Sequence, residues 1–154
     1  DRFLFKLHLE YASAAVERAV LRLPHRGLAP DVLGDVQPLF DVAKLQTAQD
    51  DMDALPATDD TIAFIVDVVR ATREMEGVAL GASPRASVSL LMSAKALAAM
   101  RGRDFVTPDD VKEIALPVLR HRVVLRSEAE IEGVTPDQAV AAAIAQVEVL
   151  DDCS

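Results

Sequence analysis

The chain has 154 residues, 51% of them hydrophobic but only 4% aromatic and none of them tryptophan, which fits one domain with a core of small aliphatic side chains and favours helices over a sandwich or barrel. A formal net charge of -9 opposes a general role in gripping nucleic acid, which depends on neutralising phosphates. Cys153 is the only cysteine, so no internal disulfide can form. No apolar run reaches membrane-spanning length and no basic-then-apolar leader opens the chain, so the expectation is a reducing, cytoplasmic setting without membrane insertion.

The chain opens at Asp1 directly in patterned sequence, as expected of a piece of a longer protein. From residue 5, Phe5, Leu7, Leu9 and Tyr11 alternate with Lys6, His8 and Glu10, which predicts a strand over 5–11. A lone strand is not stable, so it should pair with something upstream or lie loosely on the helices. Ser13 can cap the next helix, where Val16, Ala19, Val20 and Leu23 recur at helical spacing before Pro24 stops it. Gly27, Pro30, Gly34 and Pro38 break residues 24–40 into turns, and a modest helix is predicted from about 41 to 52. Thr58 or Asp60 starts a stronger helix with Ile62, Ile65, Val66 and Val69 on its apolar stripe, aspartates in its first turn, Arg70 and Arg73 near its last, and Gly77 at its end. The helix from Pro84 to about Met100 is apolar on most sides and is expected to be central. Two later helices begin alike, at Thr107-Pro108-Asp109-Asp110 and Thr135-Pro136-Asp137-Gln138, each with a threonine cap, a proline in the first turn and a side chain placed to close a capping box. Pro117 should kink the first of these or restart it near residue 117.

The densest local chemistry lies in Gly81-Ala82-Ser83-Pro84-Arg85-Ala86. Ser83 suits an N-cap, Pro84 suits a first helical position that needs no amide, and Arg85 follows on the opening turn. An anion placed there would meet a charged fork and free main-chain amides. Taken alone, the same residues also fit a well-capped helix whose arginine faces water. The chain has no phosphate loop of the form G-x-x-x-x-G-K-[ST], no G-x-G-x-x-G, no H-E-x-x-H and no G-x-S-x-G. His8, His25 and His121 read as structural or solvent-facing. The pairs Asp50-Asp51, Asp59-Asp60 and Asp109-Asp110 read as helix-end charges, and no metal site is expected.

Five ordered blocks resemble the C-terminal part of a MoxR-family AAA+ ATPase: Asp1-Arg2-Phe3-Leu4-Phe5-Lys6, Val66-Asp67-Val68-Val69-Arg70-Ala71-Thr72-Arg73, Gly81-Ala82-Ser83-Pro84-Arg85-Ala86, Arg101 to Val111, and Leu119-Arg120-His121-Arg122. Residues 24–57 match poorly, and Ala12 stands where such proteins have proline. The resemblance implies an all-α helical bundle, lid-like, with a short N-terminal strand left over from a missing α/β core domain. Its expected divisions are 1–11 for the last core strand, 12–57 for a helix and a poorly ordered connection, 58–150 for the helical lid, and 151–154 for a tail. It implies that Arg85 is the sensor 2 arginine, reaching the γ-phosphate in the same subunit, with Ser83 and Pro84 beside the nucleotide. Arg2 matches the arginine finger, reaching into a neighbouring subunit of a ring, usually a hexamer. Phe64 and Ile65 could line the adenine side, although core packing is their other reading. ATP and Mg2+ would be held in the parent protein and not tightly by this chain alone, which lacks the phosphate loop. Partners implied are the α/β ATPase domain, neighbouring subunits, and client proteins or proteins with a von Willebrand factor A domain, in chaperone-like remodelling or maturation.

Two other classes compete. An acidic helical interaction module would leave Arg85 as a surface residue without a nucleotide. A helix-turn-helix DNA binder using residues 107–126 is opposed by the net charge and by Pro117.

Overall fold

The computed structural model describes residues 3–22 and 37–151, the side chains of 148–151 apart, in the order α1 (Ala14–Arg22), α2 (Val42–Ala54), α3 (Asp59–Glu74), β1 (Val78–Leu80), α4 (Pro84–Met100), α5 (Pro108–Leu119), β2 (Val124–Leu125), α6 (Ser127–Ile131) and α7 (Pro136–Asp151). Of these, residues 3–7 and 49–151 form one compact unit and residues 8–22 with 37–48 a second. The chain is a helical bundle with one small addition, an antiparallel pairing of β1 with β2 that sets Val78 opposite Leu125 and Leu80 opposite Val124. Neither strand is long enough to show a period in the sequence.

In the second unit α1 starts where Ser13 predicts, its hydroxyl accepting from the Val16 amide at 3.4 Å and its carbonyl from the Glu17 amide at 3.0 Å. No residue of α1 or α2 is buried. Leu23 and Pro24, expected to end α1, and the turns expected over residues 24–36 lie outside the described residues.

The strand expected over residues 5–11 is not formed. Residues 3–11 join no ladder among the described residues, and Leu7, Leu9 and Tyr11 are exposed. Alternation records which side chains share a face, but a strand also needs a neighbour for its main-chain groups, and here the Lys6 amide donates to the Pro117 carbonyl at 2.9 Å instead.

The core of the first unit is made by α3, α4, α5 and α7, with α4 packed on α5 and α3 packed on both α4 and α7. Val68, Leu90, Val111, Val118, Leu119 and Val140 are fully buried. Ala86, Ala94 and Ala98 are also fully buried and, with Leu90, recur every fourth residue along α4. Small side chains on that stripe let the neighbouring helices approach closely, which explains a dense core with so few aromatics.

Local chemistry fixes the helix starts. Thr58 caps α3, accepting from the Thr61 amide at 3.2 Å, and Asp59 and Asp60 fill the first turn. Both expected capping boxes form. Thr107 and Asp110 exchange side-chain and main-chain bonds at the start of α5, and Thr135 and Gln138 do so at the start of α7, with the Thr135 amide 2.8 Å from the Gln138 amide oxygen. Gly77 adopts φ +80 in the turn from α3 into β1, where an added Cβ would lie 3.0 Å from that of Ala129. Pro117 does not restart α5, which runs on to Leu119. Proline sits in the last turn, so the helix loses one amide bond near an end where few remain to be lost.

Asp110 is the most constrained ionisable group of the fold. It has no exposed surface and receives Arg103 at 2.5 Å, the Thr107 hydroxyl at 2.8 Å and the Thr107 amide at 3.0 Å. Burial pushes its carboxyl up, but the Thr107 side-chain and amide bonds and then Arg103 outweigh that and hold it below its ordinary 3.8. A folded value below the unfolded one means that Asp110 stabilises the fold above pH 3.8 and loses that contribution as pH falls through its folded value. Asp110→Asn should therefore lower unfolding free energy at pH 7 by about 1–3 kcal/mol and flatten its decline below pH 4, as read by urea denaturation across pH 2–7.

Candidate functional site

The loop from β1 into α4 lies directly on the last turn of α3. At Gly81 a Cβ would fall 2.6 Å from the Cα of Arg73 and 2.7 Å from its nitrogen, so only glycine fits this approach. The neighbouring peptide is then held on both sides. The Ala82 amide donates to the Thr72 hydroxyl at 3.0 Å, that hydroxyl donates to the Val69 carbonyl at 2.6 Å, and Arg73 Nε donates to the Ala82 carbonyl at 2.8 Å. Thr72 and Ala82 are each 1% exposed. These bonds fix the chain one residue before Ser83.

Ser83 takes the N-cap position with φ -80 and ψ 166, but its side chain makes no capping bond, a correction to the expected cap chemistry. Its carbonyl accepts from the Ala86 amide at 2.8 Å, a tightened first turn, and Pro84 occupies the first helical position. Ser83, Pro84 and Arg85 are all exposed. Neither the Arg85 side chain nor its amide makes a hydrogen bond or ion pair among the described residues. Its charge is felt instead by Arg122, which is 7% exposed: burial first, and then the positive charge of Arg85, pull the Arg122 guanidinium below its ordinary value. It stays a cation, since arginine does not deprotonate in proteins.

Most other arginines of this unit are engaged within it. Arg103 holds Asp110, Arg101 pairs with Glu113 at 2.7 Å, Arg120 pairs with Asp137 at 2.9 Å, and Arg73 and Arg126 donate to the carbonyls of Ala82 and Val78. Within residues 107–126, Arg120 and Arg126 are engaged with Asp137 and the Val78 carbonyl, and Arg122 is buried. A shallow depression of about 240 Å³ lined by Glu76, Gly77, Arg126, Glu128, Ala129 and Glu132 is acidic and unsuited to a phosphate.

Phe64 and Ile65 are buried at 6% and 2% exposure in the core, and Lys112 Nζ stands 5.7 Å from the centre of the Phe64 ring. Both side chains belong to the buried core. Arg2, like His25, lies outside the described residues.

A family model described as the AAA lid domain matches residues 70–143. Over 149 residues the chain is 37% identical to the uncharacterized protein YeaC of Bacillus subtilis, covering 97% of this chain and 46% of that protein. Over 146 residues it is also 37% identical to chaperone MoxR1 of Mycobacterium tuberculosis, covering 89% of this chain and 37% of that protein. It superposes on a crystal structure of an inferred ATPase from Cytophaga hutchinsonii with a TM-score of 0.79 at 28% identity, over 94% of this chain and 46% of that one. The chain belongs to the lid region of the MoxR-family AAA+ ATPases. It spans less than half the length of each of these relatives.

The anchoring of this lid's loop was only half visible in its sequence. The block from Val66 to Arg73 marks the family, and Arg73 reads as a helix-end charge, but that Thr72 and Arg73 reach across to Ala82 has no sequence signal. Two substitutions test the anchor. Gly81→Ala must displace main chain or strain α3 and should cost about 1–3 kcal/mol. Thr72→Val leaves the buried Ala82 amide without an acceptor and should cost a similar amount, whereas Thr72→Ser should retain most of the stability, all read by urea unfolding.

Proposed function

We propose that this chain is the nucleotide-sensing lid of an ATPase in which Arg85 contacts the γ-phosphate of ATP bound by the same subunit. The observation that carries this reading is an exposed arginine on the first turn of α4 that makes no hydrogen bond or ion pair among the described residues, on a loop the fold fixes without its help. The donor set suits phosphate oxygens: a guanidinium fork, an amide at a helix N-terminus, and no carboxylate bound to either. The groups that would hold the α- and β-phosphates and Mg2+ belong to an α/β domain that this chain does not include, so the chain alone is not expected to hydrolyse ATP. When bound, ATP supplies the terminal phosphate and the bond that is hydrolysed. Arg85 holds that phosphate while the bond is intact and loses its partner when the phosphate leaves. Because residues 81–82 are locked to α3, the position of Arg85 is tied to that of the whole helical unit, so contact or release moves the lid.

By the same resemblance Arg2 acts as an arginine finger on a neighbouring subunit, which requires a ring, most simply a hexamer. The assembled protein would couple the hydrolysis cycle to remodelling or maturation of partner proteins, among them proteins with a von Willebrand factor A domain. That one relative is described as a chaperone supports this assignment. Ser83 and Pro84 flank the nucleotide, while Phe64 and Ile65 serve it from the core, by fixing α3.

Each charged hydrogen bond of this kind is worth about 1.5–3 kcal/mol, so Arg85→Ala in the full-length protein should lower ATP turnover roughly 10- to 100-fold. Its exposed side chain predicts an unfolding midpoint close to the parent's. Unchanged turnover with normal assembly would overturn the assignment.

A further inference from the structure

The run Arg120-His121-Arg122 follows α5, and its polar contacts converge on the main chain of residues 3–6. His121 Nε2 lies 3.0 Å from the Phe3 carbonyl and must donate to it, because a carbonyl oxygen can only accept. Arg122 Nη2 donates to the same oxygen at 3.0 Å, and Arg120 Nη1 approaches the Lys6 carbonyl at 3.4 Å. The Lys6 amide closes the set on the Pro117 carbonyl at 2.9 Å. Arg120 is steadied by Asp137 at 2.9 Å, which leaves its second terminal nitrogen aimed at Lys6. Four contacts from residues 117–122 therefore clamp four consecutive residues more than a hundred positions away.

Core packing connects the clamp to the first turn of α4. Arg122 is followed by Val123 and Arg85 by Ala86, and both of those are buried members of the same core. Helices α4 and α5 pack along each other, and Arg122 lies within the field of Arg85. We infer that His121 and Arg122 are positioning residues for Arg85, because by gripping the main chain of residues 3–6 they fix the segment entering this unit relative to the first turn of α4. Movement of Arg85 toward a phosphate is thereby transmitted to that segment. This rests on the nucleotide-sensing reading of Arg85, but the clamp itself does not.

The test has two arms. In the 154-residue chain, hydrogen exchange at the Lys6 amide reports the clamp directly. His121→Ala and Arg122→Lys should each speed it roughly tenfold, while His121→Gln, whose amide nitrogen can replace Nε2, should restore protection. Amides of Leu90 and Val118 should be unchanged, which separates an opened clamp from a loosened fold. In the full-length protein, His121→Ala should lower kcat roughly 3- to 10-fold with little change in KM for ATP, and His121→Gln should recover it. Unaltered exchange at Lys6 in His121→Ala would overturn the clamp. Faster exchange with unaltered kcat would overturn the positioning role. Arg85→Ala with normal turnover would instead sink the nucleotide reading and the positioning role with it, leaving the exchange result to stand as a structural clamp.

Discussion

The arrangement depends on there being no room for a side chain at residue 81. Contact with the main chain of Arg73 brings the β1–α4 loop down onto α3, and only at that distance can the Thr72 hydroxyl and the Arg73 guanidinium reach opposite sides of the Ala82 peptide. The start of α4 follows from this. Ser83 need not supply a capping bond, because the loop is already immobilised one residue earlier and Pro84 needs no acceptor. Arg85 is therefore placed by contacts to which it contributes nothing, which leaves its guanidinium available for an external anion.

The electrostatic setting sharpens that availability. In a chain with a net charge of -9, Arg73, Arg101, Arg103 and Arg120 are drawn to carboxylates or carbonyls of their own fold. Arg122 is placed against main chain in the core, and its burial close to Arg85 means that the two like charges are held near one another by packing.

Local chemistry made much of the fold readable. The capping boxes at Thr107 and Thr135, the Thr58 cap and Pro84 at the first position of α4 all use partners within three residues, so spacing alone reveals them. The strand over 5–11 was misread because alternation has no information about a partner. β1 and β2, with three and two residues, were missed because their pairing rests on contact across α4 and α5 and not on any period. The placement of Arg85 on the first turn of α4 was legible because the residues that start the helix sit in one hexapeptide. The carbonyls of Phe3 and Lys6 that Arg120, His121 and Arg122 contact lie 114 to 119 positions away, a separation no motif spans. Pro117 was read as a helix breaker, whereas its place in the last turn lets α5 finish and frees a carbonyl for Lys6.

The four hydrogen bonds from residues 117–122 to residues 3–6 end on carbonyl oxygens or an amide hydrogen, groups of the main chain that do not depend on which side chain is present, proline's missing amide apart. The hydrogen-bonded part of the attachment is thus indifferent to the identity of the side chains at residues 3 and 6. What selection must keep is the gripping side, together with the exclusion of proline at residue 6.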